Sequence, residues 1–155
     1  MMKPFSRYWR SMLGFLLVAV TLSSCISTFH HTGATANAVG LWKEHSSVRY
    51  AITLRRADGT YRRKEIQDCD YAKPPIKYES AGRWSISGRK YTDRLEQVST
   101  PVWKKDVGKQ WTLEVVSMTH DLFRHLSSDG AIVEERRIGE ASEVQFEKTP
   151  LKKLQ

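Results

Sequence analysis

Most of the chain beyond residue 39 alternates between apolar and polar residues with a period of two. Because successive side chains of a strand point to opposite faces, this pattern predicts β-strands that each carry one apolar face. We expect the apolar face to point inward, where it lines or fills a cavity. The inward set on this interpretation is Tyr50, Ile52, Leu54, Trp84, Ile86, Trp111, Leu113 and Val115.

Turn residues divide these runs. Asp58-Gly59 and Asp129-Gly130 each lie between two alternating segments and predict tight hairpin turns. Pro74-Pro75 and Pro101 predict strand boundaries, since proline cannot donate to a central ladder. No segment has a sustained helical period, and residues 121–126 are the nearest candidate. Roughly seven to nine strands at this spacing predict an all-β, antiparallel barrel or sandwich.

The first residues have the order of an export signal. Lys3, Arg7 and Arg10 precede an apolar run from residue 13 to residue 22, and no acidic residue comes before it. That run is too short for a spanning helix, which needs about 20 residues, but it suits the core of a signal peptide. We therefore predict that residues 1–24 are a cleaved signal peptide.

The run ends in Leu22-Ser23-Ser24-Cys25, which resembles the lipobox of bacterial lipoproteins. The resemblance implies that the Cys25 thiol is diacylated and that the chain is cut just before it. Two or more acyl chains anchor a protein stably in a bilayer. Because Ile26 rather than aspartate follows, the resemblance also implies the outer membrane, with the domain facing the periplasm.

The rest of the chain divides into three segments. Residues 25–38 are small and polar and predict a flexible tether; its His30-His31 pair lacks the fixed third ligand that a metal site needs. Residues 39–147 form the predicted barrel domain, and residues 148–155 a basic tail.

Charge changes this picture little. The 155 residues carry 25 basic and 17 acidic side chains, a net charge of +8. Three of the basic residues and no acidic residue lie in residues 1–24, which leaves +5 on the remaining 131 residues. An exported protein does not normally meet nucleic acid, so we expect no such partner and attribute the charge to solubility and to attraction toward anionic surfaces.

Three short motifs resemble the lipocalin-like, or calycin, β-barrels in this order: Gly40-Leu41-Trp42, Asp58-Gly59-Thr60-Tyr61 and Gly82-Arg83-Trp84. The likeness spans about residues 39–138 and implies an up-and-down barrel of about eight strands. It also implies that Trp42 lies across the closed end, with a basic residue of a late strand, Arg136 or Arg137, packed over its ring. Gly40, Gly82 and Trp84 then have structural roles.

No catalytic or metal site is predicted. Cys69 lies between two aspartates, which disfavour a reactive thiolate. His120 and His125 are an odd number of residues apart, so on a strand they face opposite ways and cannot share a metal. We expect no cofactor and no enzymatic activity.

Two functions stay open at this point. We expect a lipoprotein, anchored through Cys25, whose barrel binds a small apolar or amphiphilic molecule without catalysis. The alternative is a structural or assembly lipoprotein with a solid barrel that binds another envelope protein. A cavity above roughly 300 Å³ favours the first, and a large exposed apolar patch favours the second.

Overall fold

A computed structural model describes residues 33–46, 48–69 and 72–151. The predictions for the signal peptide, for Cys25, for the histidine pair in the tether and for the last four residues fall outside these ranges.

The described chain contains eight strands, two short α-helices and one 3₁₀ helix. The strands are β1 (Gly40–His45), β2 (Arg49–Arg55), β3 (Thr60–Cys69), β4 (Ala72–Ser87), β5 (Lys90–Val98), β6 (Gln110–Met118), β7 (Leu122–Leu126) and β8 (Ile132–Gly139). The helices are α1 (Gly33–Ala38), the 3₁₀ helix (Pro101–Asp106) and α2 (Glu143–Lys148). None of the helices in the described ranges is long and apolar enough to cross a membrane.

The strands form a closed barrel in chain order, which confirms the predicted all-β fold. Each strand pairs antiparallel with the next, and β8 pairs with β1 to close the ring. Residues 121–126, the nearest helical candidate in the sequence, lie mainly in β7. Closure removes exposed sheet edges, so no strand in the ring is left with an unpaired side.

Both predicted Asp-Gly turns are confirmed. Gly59 joins β2 to β3 with φ +78°, and Gly130 joins β7 to β8 with φ +82°. A residue with a side chain is strained in this left-handed region, which explains glycine at both turns. In the first turn Asp58 Oδ1 also accepts hydrogen bonds from the Thr60 amide (2.9 Å) and hydroxyl (2.7 Å).

The proline prediction is only half right. Pro101 follows the end of β5 and begins the 3₁₀ helix, as a boundary residue should. Pro74 and Pro75 instead lie inside β4. The ladder between β3 and β4 is irregular there, with a register shift between Gln67 and Cys69, and this irregularity accommodates residues that cannot donate.

An aromatic core fills one end of the barrel. Its buried members are Ala38, Trp42, Tyr61, Trp84, Tyr91, Val115 and Phe123. Ala38 belongs to α1, and its carbonyl accepts a 2.9 Å hydrogen bond from Trp42 Nε1. Residues 33–38 of the predicted tether are therefore a helix that plugs this end, a role that small residues without an apolar period do not reveal.

A second apolar cluster lies on the outer face of the barrel. It consists of Leu41, Tyr50, Ile52, Leu54 and Phe146, with Leu151 packed against it. Phe146 belongs to α2, and Lys64 Nζ donates a 2.5 Å hydrogen bond to its carbonyl. The apolar face of β2 is thus buried under a C-terminal helix that the sequence pattern did not predict.

Candidate functional site

A cavity of about 410 Å³ occupies the other half of the barrel, above the aromatic core. Its wall includes residues of the 3₁₀ helix and of the β7–β8 turn, which marks the end of the barrel where it opens. Aromatic side chains of the wall are Tyr61, Tyr78, Tyr91, Trp103 and Trp111. Its charged side chains are Glu44, Arg49, Arg63, Glu65, Asp93, Asp106, Lys109 and Glu135. The interior is therefore far more polar than the sequence predicted.

The eight predicted cavity residues separate into three groups. Trp111 and Leu113 line the cavity. Trp84, Ile86 and Val115 belong to the aromatic core that forms its floor. The remaining group is Tyr50, Ile52 and Leu54, for which the inward prediction is wrong.

The alternation along β2 is real, but its two faces are exchanged relative to the prediction. Arg49 lines the cavity, and the register places Ala51, Thr53 and Arg55 on the same side of the strand. The apolar residues between them face α2 outside. The period of two shows that the strand has an apolar face and a polar face. It does not show which of these faces a helix from a later part of the chain will cover.

Arg137 completes the closed end of the barrel. Its guanidinium carbon lies 4.7 Å from the centroid of the Trp42 ring, a cation–π contact. Nη1 donates to the Val39 carbonyl (2.6 Å), Nη2 to that of Asn37 (2.5 Å) and Nε to that of His120 (2.5 Å). Of the two candidates for this position, Arg137 occupies it, whereas the side chain of Arg136 is exposed.

The glycines of the two Gly-x-Trp motifs permit close contacts. A Cβ on Gly40 would lie 2.2 Å from Arg137 Nη1, and φ there is +151°. A Cβ on Gly82 would lie 1.9 Å from the Arg94 carbonyl oxygen. Each motif therefore begins at a position that has no room for a side chain larger than the hydrogen of glycine. In the second motif, Trp84 Nε1 donates a 2.9 Å hydrogen bond to the Thr60 carbonyl.

Arg55 lies between the aromatic core and the cavity and is completely buried. Nη2 donates to Glu135 Oε1 at 2.7 Å, and Nε donates to the Tyr91 hydroxyl at 3.2 Å. The guanidinium carbon is 5.0 Å from the Tyr91 ring centroid and 5.2 Å from that of Phe123. A charge in this position is held by one full ion pair and by aromatic faces.

The ion pair with Arg55 keeps Glu135 ionised. Burial by itself raises a carboxyl pKa, but the charge of Arg55 and hydrogen bonds from His125 and Arg55 outweigh it and hold the Glu135 pKa well below its usual value. His125 Nε2 lies 3.5 Å from Glu135 Oε1. The cavity floor is thus a pre-arranged group of charged and polar side chains.

The upper wall contains carboxylates that are less well paired. Arg49 makes a bidentate pair with Glu44 (2.6 and 2.7 Å) but stays 3.9 Å from Glu65 Oε1. Arg63 Nη2 stays 3.9 Å from Asp93 Oδ2. Both longer distances exceed hydrogen-bond range. Burial raises the pKa of Glu65 and of Asp93, and the nearby arginines only partly oppose this.

The charged interior was not predicted from the sequence, because the polar positions of each strand were assigned to the solvent-facing side. The sequence of β3 contains the pattern that could have indicated it, since Tyr61 lies on the same strand face as Arg63 and Glu65. In the structure this face points into the barrel, and all three side chains line the cavity.

The remaining titratable candidates lie apart. His120 is exposed beside Asp121 (2.7 Å), His125 faces the cavity, and Cys69 ends β3. Within residues 33–46, 48–69 and 72–151, no three His, Cys, Asp or Glu residues are placed to hold a metal ion.

Comparison with known proteins gives a distant similarity. A crystal structure of a lipocalin-like protein from Bacteroides uniformis aligns with a TM-score of 0.45 and 14% identity, over 66% of this chain and 99% of that one. No protein-family model matches the chain, and no curated protein matches it. At this level of likeness the architecture rests on the strand pairing itself.

Proposed function

We propose that this protein is a non-catalytic binding module that holds a small amphiphilic molecule inside its barrel. The observation that carries the proposal is the open cavity of about 410 Å³. Ligand pockets commonly measure about 300–1,000 Å³ and combine apolar walls with a few placed polar groups.

The lining favours an amphiphile over a purely apolar ligand. Trp103, Trp111 and Leu113 supply apolar contact area, while Arg63, Glu65 and other charged side chains share the same wall. A ligand with only apolar groups would leave those charges desolvated and unpaired, which costs several kcal/mol by rough estimate. A ligand with one polar end and one apolar end avoids that cost.

The proposal places the barrel at the outer membrane, facing the periplasm, on a lipid attached to Cys25. The basic start, the short apolar run and the lipobox-like residues 22–25 support this part. Membrane fractionation tests it: Cys25→Ala should release the exported protein into the soluble fraction, and Cys69→Ala should not. Retention of Cys25→Ala in the membrane would refute the anchor.

The alternative, a structural lipoprotein that binds another envelope protein, required a solid barrel. The cavity weighs against it. Among the exposed large apolar residues of the described chain, Val102, Ile132 and Val144 lie on three different elements: the 3₁₀ helix, β8 and α2.

Native mass spectrometry of the processed protein, purified from its own host, tests the binding function. We expect the protein to retain a small molecule that is released on denaturation. An empty barrel, recovered after gentle purification with a stoichiometric protein partner, would replace the binding proposal with the structural one.

A further inference from the structure

We infer that the polar end of the bound molecule is a cation, such as a protonated amine, and that Glu65 is the residue that receives it. This inference rests on the proposed binding function and specifies its ligand chemistry. It follows from the pairing of charges around the cavity, from a buried carboxylate oxygen that has no hydrogen-bond donor and from the aromatic groups beside it.

Most charges around the cavity pair with each other. Arg49 pairs with Glu44, Arg55 with Glu135, and Lys109 with Asp106 at 2.5 Å. The charged groups left over among the described lining residues are Arg63, Glu65 and Asp93. One cation against two carboxylates leaves a single uncompensated carboxylate among these lining side chains.

Glu65 carries that excess charge. Its side chain faces inward from β3 and is 2% exposed. The Tyr78 hydroxyl is a donor to this carboxylate, but Oε1 is buried and has no hydrogen-bond partner among the described residues. The nearest cation, Arg49, is 3.9 Å away and already bound to Glu44. A buried carboxylate oxygen without a donor is costly, and an ammonium N–H removes that cost.

Asp93 makes the same wall unsuitable for an anion. Arg63 is the basic residue that an anionic ligand would have to use, and it already faces Asp93 at 3.9 Å. Glu65 lies two residues along the same strand face, about 7 Å away by strand repeat. An anion at Arg63 would therefore lie close to two carboxylates, and it would have to displace Arg63 from Asp93.

Aromatic groups complete a site for a cation. Tyr78 pairs with Glu65 across β3 and β4, and its ring lies 6.4 Å from that of Trp103. Both rings line the cavity. Aromatic faces attract ammonium groups, and they also give apolar contact to the rest of an amphiphile.

Isothermal titration calorimetry of the purified protein with three matched amphiphiles tests the inference. Octylammonium, octanol and octanoate share one chain and differ in the charge of the head group. We expect octylammonium to bind at least about tenfold more tightly than octanol, the increment of one charge-assisted hydrogen bond, and octanoate to bind more weakly than octanol.

Glu65→Gln removes the charge and keeps the shape of the side chain. It should weaken octylammonium binding by about tenfold or more and change octanol binding by less than about twofold. Glu114→Gln is the matched control, since Glu114 is an exposed carboxylate on β6 paired with Arg89 at 3.0 Å. Circular dichroism verifies the fold of each variant, and Asp93→Asn is a second cavity variant with the same expected direction.

The outcomes separate the two proposals. If octanol or octanoate binds as well as octylammonium, or if the folded Glu65→Gln protein binds octylammonium unchanged, the cationic assignment is wrong and the binding function stands. If none of the three binds, the cationic assignment is also overturned, and the retained mass from the host then decides the binding function by itself.

Discussion

Replacing Arg55 by methionine should destabilise the barrel more than any comparable change on its surface. Arg55 is fully buried, and its 2.7 Å bond to Glu135 is the main compensation for that carboxylate. Methionine fills similar space without charge. The variant therefore leaves a buried Glu135 whose remaining support is His125 at 3.5 Å and the more distant charge of Arg63.

The expected loss is about 3–5 kcal/mol at neutral pH, the usual result of removing one partner of a buried ion pair. Small domains are stable by about 5–15 kcal/mol, so the variant should fold but unfold at much lower denaturant. Arg83→Met is the control, because Arg83 is exposed and pairs with Glu96 at 3.4 Å. An exposed pair contributes about 0–1 kcal/mol.

Urea unfolding followed by tryptophan fluorescence measures both variants. Adding Glu135→Gln to Arg55→Met should restore much of the loss, since the uncompensated charge is then gone. A loss below about 1 kcal/mol for Arg55→Met, or a double variant no more stable than the single one, would show that the pair does not stabilise the fold.

The same variant has a defined pH dependence. Because Arg55 and the hydrogen bonds hold the native Glu135 pKa below its usual 4.5, the group stabilises the fold above that pH. That contribution disappears as the pH falls from 4.5 toward the native pKa. The stability difference between wild type and Arg55→Met should therefore shrink in acid; a constant difference down to acid unfolding would contradict it. Subtracting the two curves cancels Glu65, whose raised pKa acts in the opposite direction. Asp93 does not cancel, because Arg55 lowers its pKa; removing Arg55 raises the Asp93 pKa further, which changes the stability difference in the same direction as Glu135 does.

Three further predictions concern packing. Phe146→Ala should cost about 3–5 kcal/mol in urea unfolding and release α2, since the ring is fully buried in the outer cluster. Gly82→Ala should cost at least about 1–3 kcal/mol, because its Cβ would lie 1.9 Å from the Arg94 carbonyl oxygen; a neutral effect would mean that β4 and β5 separate easily. Arg137→Lys should speed amide exchange in α1 and cost about 2–3 kcal/mol, as lysine cannot reach three carbonyls; unchanged exchange would show that α1 is held by other contacts.

The sequence predicted the strands and the hairpins well because both depend on local chemistry. Asp-Gly pairs fix tight turns wherever they occur, and alternation fixes strand type. Which face of β2 points inward is not local. Tyr50, Ile52 and Leu54 are buried outside because Phe146, more than 90 residues later, covers them.

The cavity chemistry was unpredictable for a related reason. Arg55 and Glu135 have ordinary surface-residue identities in their own strands, and only closure of the ring brings them together. The contact between Trp42 and Arg137 could be predicted, although the two residues are far apart in sequence. The prediction came from the resemblance of the Gly-x-Trp motif to a known barrel family, because residue spacing alone does not indicate such a contact.

The seam between β1 and β8 has a consequence for how the chain folds. The residues paired across it are far apart in sequence: the register joins Trp42 to Arg137, 95 positions later, and Glu44 to Glu135, 91 positions later. Loop closure of this length is slow, and barrels with such distant contacts fold in about milliseconds to seconds. The barrel cannot close until β8 is available to pair with β1. During synthesis from the N-terminus, β1 and the most recently formed strand therefore stay unpaired on one side until nearly the whole chain has been made.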